Sequence, residues 1–96
     1  TPIYAVLVSS GIEDYPADVV GRLEKRCNRL FTVDAMGEAR EVGSARAANT
    51  LLLGMLSPFT DISEEAWRQA VSERVPPHTV EVNLKAFSRG RELAGA

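Results

Sequence analysis

Residues 46–59 read RAANTLLLGMLSPF. The run carries no charge after Arg46, leucine and methionine recur densely, and Pro58 stops it, so it reads as a core helix. Ser44 stands just ahead as its N-cap, and the helix is expected to run to about Ser57. Two residues sit awkwardly in such a helix. Asn49 brings a carboxamide into its first turns, and Gly54 costs up to ~1 kcal/mol relative to alanine. By helical spacing Asn49 shares a face with Leu52, Leu53 and Leu56, which predicts a partly inward side chain holding a defined partner. Ala47, Thr50 and Gly54 form a strip of small residues, which predicts a close approach by another helix or strand.

Upstream, IYAVLVSS (3–10) is a continuous β-branched run, suited to a strand covered on both faces. Pro16 opens an amphipathic pattern through Val19, Val20, Leu23, Cys27 and Leu30, and LFTVDA (30–35) reads as a second strand. Strand, helix and strand in this order make a βαβ unit with parallel strands. Residues 36–43 supply a turn or two of helix ending at Gly43. Downstream, Asp61 and Glu64 have capping-box spacing ahead of a helix whose apolar side is Trp67, Ala70 and Val71, with Pro76-Pro77 as its stop. Val80, Val82 and Leu84 alternate like a strand, but Lys85 to Leu93 favours a last helix with Thr79 as its cap. On that helix Asn83 shares a face with Phe87 and Gly90, and a buried amide there requires a partner. The expected architecture is α/β: one domain with a βαβ unit over 1–35, then three to four helices over 36–96.

Composition narrows the function. Eleven basic and thirteen acidic residues give a net charge of −2, without the clustered lysine and arginine of a nucleic-acid surface. One cysteine, Cys27, and one histidine, His78, exclude an internal disulfide and an iron–sulfur cluster or thiolate-rich metal site held by this chain alone. The lone thiol fits a reducing, cytoplasmic setting, and no apolar run approaches the length of a membrane span.

Motifs for chemistry are sparse. Ser9, Ser10 and Gly11 lie at the carboxyl end of the first strand and Asp34 at that of the second, where open α/β sheets bind ligands, so the serine corner is a candidate anion site. Glu64 and Glu65 have a sufficient reason to be adjacent in the favourable field of a helix N-terminus. No phosphate loop, dinucleotide fingerprint, nucleophile elbow or zinc-protease motif occurs. The residues themselves show no catalytic group and no metal ligand set.

The succession VDAMGEAREVGSARAANTLLLGMLSPF, ISEEAWRQAVSERVP and VEVNLKAFSRGRE resembles the end of the gamma-type domain of 2-oxoacid:acceptor oxidoreductases, the pyruvate, 2-oxoglutarate, 2-oxoisovalerate and indolepyruvate ferredoxin enzymes. The resemblance rests on Ala39, Gly43, Ala47-Ala48-Asn49, Leu53-Gly54, Glu64-Glu65-Ala66, Asn83, Ala86-Phe87 and Gly90. Trp67 and the ERVP ending look most like the indolepyruvate branch. The resemblance implies that Asn49, Gly54, Asn83, Phe87 and Gly90 are structural family marks, and that the chain is the C-terminal part of a larger α/β domain. Its non-methionine start agrees with that. It further implies partner subunits or domains that carry thiamine diphosphate and iron–sulfur clusters, coenzyme A as acyl acceptor, and ferredoxin as an indirect partner. This chain alone would then bind none of these cofactors and have no turnover. The competing expectation is a stand-alone α/β module that binds a small anion at Ser9-Ser10-Gly11 or serves protein interaction.

Overall fold

The computed structural model describes residues 4–8, 21–22, 25–26 and 29–96, which fall in two compact units, 1–34 and 35–96. In the first, β1 (Tyr4–Val8) and β2 (Arg29–Val33) pair in parallel, Tyr4 opposite Arg29 and Val8 opposite Val33. Residues 21–22 and 25–26 are helical. The rest of the crossover, Cys27 included, lies outside the described residues, as does the Ser9-Ser10-Gly11 corner.

The second unit is helical: α1 (Ala35–Glu41), α2 (Ala48–Leu56), α3 (Glu64–Arg74) and α4 (Val80–Leu93). Asp34 precedes α1, and Ala35 belongs to α1 rather than to the second strand. α1 closes at Gly43, whose φ of 140° lets Ser44 N–H reach Ala39 O at 3.0 Å and Gly43 N–H reach Arg40 O at 3.1 Å. These bonds occupy carbonyls that the helix end would otherwise leave open. Ser44 Oγ accepts from Arg46 N–H at 3.2 Å, so it caps a 3₁₀ turn over Ala45–Ala47 that feeds into α2 rather than α2 itself. Pro58 lies within a second 3₁₀ turn, Ser57–Phe59, which ends the helical path.

Ser63, not Asp61, caps α3, its Oγ accepting from Ala66 N–H at 3.1 Å. The serine oxygen sits one residue before the first helical residue, within reach of the open N–H groups, and Asp61 stands two residues too early. Ala70 is exposed, leaving Val71 and half-buried Trp67 as the inward side of α3. Residues 80–93 are helix throughout, which resolves the alternating pattern of Val80, Val82 and Leu84. Thr79 precedes α4 without capping it: its hydroxyl donates instead to Pro76 O at 2.8 Å.

The core of this unit is built on small side chains. Ala35 and Ala39 of α1, Ala47, Leu51 and Met55 in and beside α2, and Ala86 and Phe87 of α4 are all buried. Such a set lets backbones approach closely, and α2 and α4 do so. A Cβ placed on Gly54 would fall on Phe87 O and lie 2.9 Å from Phe87 C. One placed on Gly90 would fall on Leu51 O and lie 2.9 Å from Met55 N. The helix cost of each glycine is offset by this contact.

Candidate functional site

The five residues expected to be structural family marks divide into two sets. Gly54, Asn83, Phe87 and Gly90 meet in the α2–α4 crossing. Thr50 Oγ1 donates to Asn83 Oδ1 at 2.7 Å, and Asn83 Nδ2 donates to Thr79 O at 3.0 Å. Both side chains are 8% exposed, so this is a buried polar pin across the crossing. Among the described residues no buried side-chain polar atom lacks a partner. Phe87 is fully buried and lies with its ring centre 6.1 Å from that of Trp67. Trp67 Nε1 donates to Thr60 Oγ1 at 3.0 Å, anchoring α3 to the turn that follows α2.

Asn49 is a different case. It is exposed, against the expected partly inward side chain, and its carboxamide makes no hydrogen bond to another described residue. Leu53 and Leu56 on the same face are 39% and 47% exposed. The glycine contact fixes the rotation of α2, turning Thr50, Leu51 and Met55 inward and that face outward. Spacing identifies both faces; the close approach expected at the small-residue face is present, whereas the partly inward Asn49 is not.

Polar links tie the crossing to its surroundings. Ser57, 1% exposed, donates through Oγ to Gly54 O at 2.9 Å and accepts from Arg91 Nη1 at 3.0 Å. Arg91 Nε also lies 3.6 Å from Glu64 Oε1. Arg89 joins α4 to α1: its Nε donates to Glu38 Oε2 at 3.1 Å, with Nη2 2.9 Å from the same oxygen. That hydrogen bond holds the Arg89 pKa above its ordinary value, with burial opposing. The Ser57 and Arg89 links join residues far apart in sequence and escaped sequence reasoning, since no spacing signals them.

An open groove of about 930 Å³ runs past Glu38, Glu41, Glu81 and Glu92 on one side of the charge balance and Arg68, Lys85 and Arg89 on the other. Its charges largely answer one another: Arg89 pairs with Glu38 and Glu92, and Lys85 with Glu81 at 3.3 Å. Arg68 donates to Ser88 Oγ at 2.7 Å. This is a solvated ion-pair face, with no nucleophile set beside a base. His78 is exposed in the 3₁₀ turn before α4, and among the described residues no group of three or more His, Cys, Asp or Glu gathers to hold a metal. No helix of the described residues is long and apolar enough to cross a membrane.

Residues 3–93 match the sequence pattern of the pyruvate ferredoxin/flavodoxin oxidoreductase family. The indolepyruvate oxidoreductase subunit IorB of Thermococcus kodakarensis is 35% identical over 97% of this chain and 48% of its own length. The 2-oxoglutarate synthase subunit KorC of Methanothermobacter thermautotrophicus is 37% identical over 92% of this chain and 44% of its own. A crystal structure of the keto/oxoacid ferredoxin oxidoreductase gamma subunit of Geobacter sulfurreducens superposes with a TM-score of 0.69 at 32% identity. That match covers 94% of this chain and 50% of the gamma subunit. The chain thus spans about half the length of the relatives it matches. By the family match along nearly its whole length, this chain belongs to the pyruvate ferredoxin/flavodoxin oxidoreductase family.

Proposed function

We propose that the chain works as the C-terminal half of the gamma-type part of a 2-oxoacid:ferredoxin oxidoreductase, supplying architecture and subunit contacts rather than reacting groups. The carrying observation is where the family residues lie. Gly54, Asn83, Phe87 and Gly90 converge on a helix crossing with no nucleophile, metal set or free general base. These positions serve packing.

In this reading residues 1–35 form a βαβ unit that belongs to one domain with the helical part over 36–96, within a larger α/β domain. The reaction is oxidative decarboxylation: a 2-oxoacid loses carbon dioxide, its acyl group passes to coenzyme A, and two electrons leave to ferredoxin. Thiamine diphosphate supplies the electron sink for that cleavage when bound. One cysteine cannot hold an iron–sulfur cluster, so the clusters, like the thiamine cofactor, are assigned to other subunits or domains of the complex. The cytoplasm is the matching compartment.

Indolepyruvate is the favoured substrate on the strength of Trp67, the ERVP ending and the IorB relatives, with 2-oxoglutarate the competitor that the KorC relatives suggest. The test is to tag the chain in its native host and purify it gently. Subunits that bind thiamine diphosphate should co-elute, and the eluate should reduce ferredoxin or viologen with indolepyruvate faster than with 2-oxoglutarate. A chain that elutes alone, with no 2-oxoacid-dependent reduction, would overturn the reading.

A further inference from the structure

α2 reads ANTLLLGML and is the one described helix without an ionisable side chain; α1, α3 and α4 each carry acids and bases. A helix without a charged face is suited to lie between two layers. Here one side is buried, through Thr50, Leu51, Gly54 and Met55. The other presents Asn49, Leu53 and Leu56, spaced i, i+4 and i+7 as a straight stripe. Both leucines are exposed, and Ile62, 51% exposed, follows in the next loop.

The solved gamma subunit is about twice as long as the part matched here. Its fold holds the half matched here together with a second half of similar length, since 94% of this chain covers only 50% of that one. IorB and KorC show the same proportion. We infer that the Asn49–Leu53–Leu56 stripe is the seat of that second half of the gamma-type fold, carried on the same polypeptide or on a separate one. The inference rests on the gamma-type reading above and names the surface it uses. Apolar side chains of the second half cover Leu53 and Leu56. A backbone amide or carbonyl of that half bonds the Asn49 carboxamide, which both donates and accepts. This accounts for an exposed amide at a position that marks the family.

The test places a benzophenone amino acid at Leu53 or Leu56 of the chain expressed from its own gene, with Gln69 on the exposed face of α3 as control position. After irradiation the assembly is digested and the adducts are sequenced. The expected adducts join positions 53 and 56 to a segment resembling the half of IorB that this chain does not span, with none at 69. The pair Leu53→Lys with Leu56→Lys should abolish retention of that segment while leaving the chain's own melting temperature unchanged, as both side chains are exposed. Adducts to a second copy, to residues 1–34 or to an unrelated protein would overturn the inference. So would no adduct from a folded chain, or full retention by the lysine pair. Turnover of 2-oxoacid in the same preparation separates the two claims. Activity with adducts elsewhere defeats only this inference; the expected adducts without activity defeat only the functional reading.

Discussion

Gly54 and Gly90 lie under each other's partner helix: the space a side chain would need at Gly54 holds the Phe87 carbonyl, and at Gly90 the Leu51 carbonyl. Each obstruction is backbone, which cannot swing aside as a side-chain tip would. Gly54→Ala and Gly90→Ala should therefore each destabilise the chain by at least ~1–3 kcal/mol, despite alanine's better helix propensity. At roughly 4–8 °C of melting temperature per kcal/mol for a domain of this size, thermal unfolding reads the loss easily. Gly21 is helical with nothing within 4 Å of an added Cβ, so Gly21→Ala is the control and should be neutral or slightly stabilising.

The Thr50–Asn83 bond gives a second prediction. Thr50→Val keeps the shape and strands a buried carbonyl oxygen, at a cost of ~1–3 kcal/mol. Combining it with Asn83→Leu removes both partners, so the double variant should lose less than the sum of the single losses. A double-mutant cycle by urea unfolding measures the coupling, and strict additivity would show that the bond contributes nothing.

Ser57 gives a third. Its hydroxyl bonds both Gly54 O and Arg91 Nη1 from a buried position. Ser57→Ala leaves the part-buried guanidinium one acceptor short and should cost ~1–2 kcal/mol by thermal unfolding. Ser57→Thr retains the hydroxyl and should recover part of that loss.

Arg89 offers a smaller effect with a definite sign. Its pairing with Glu38 is partly exposed, so Arg89→Gln should cost about 0.5 kcal/mol, less at high salt. Arg89→Lys should not restore it, because a single ammonium cannot reproduce the fork in which Nε donates to Glu38 Oε2 and Nη2 to Glu38 Oε1. The hydrogen bond to Glu38 raises the Arg89 pKa, with burial opposing. A raised pKa stabilises at every pH below the unfolded value and is lost only as pH climbs through the folded one. For arginine that window is strongly alkaline, so the guanidinium's own titration leaves the substitution cost flat across neutral buffers.

How much of this was legible beforehand follows from what each signal measures. The small-residue strip Ala47, Thr50 and Gly54 signals a close approach by another helix or strand, and Asn83, Phe87 and Gly90 signal one shared face, because helical spacing is a local property; that these two faces meet is shown only by the structure. Asn49 differs from the expectation because the leucines on its face favour a partly inward side chain, whereas the glycine contact turns that face outward. The cap at Ser63 was missed because Asp61 offered a better-known spacing to Glu64, and only the chain path decides which oxygen meets a free N–H. The Ser57–Arg91 and Glu38–Arg89 links depend on distant elements coming together, which no short window of sequence contains.

In the proposed function the marked residues of this chain build the complex and do not react. The most direct measurement is turnover per assembled complex, using native enzyme reconstituted with the Gly54→Ala or Thr50→Val chain and quantified after size exclusion. Fewer assembled complexes are expected, each turning over 2-oxoacid at the unmodified rate. Full assembly with a collapsed rate per complex would contradict it.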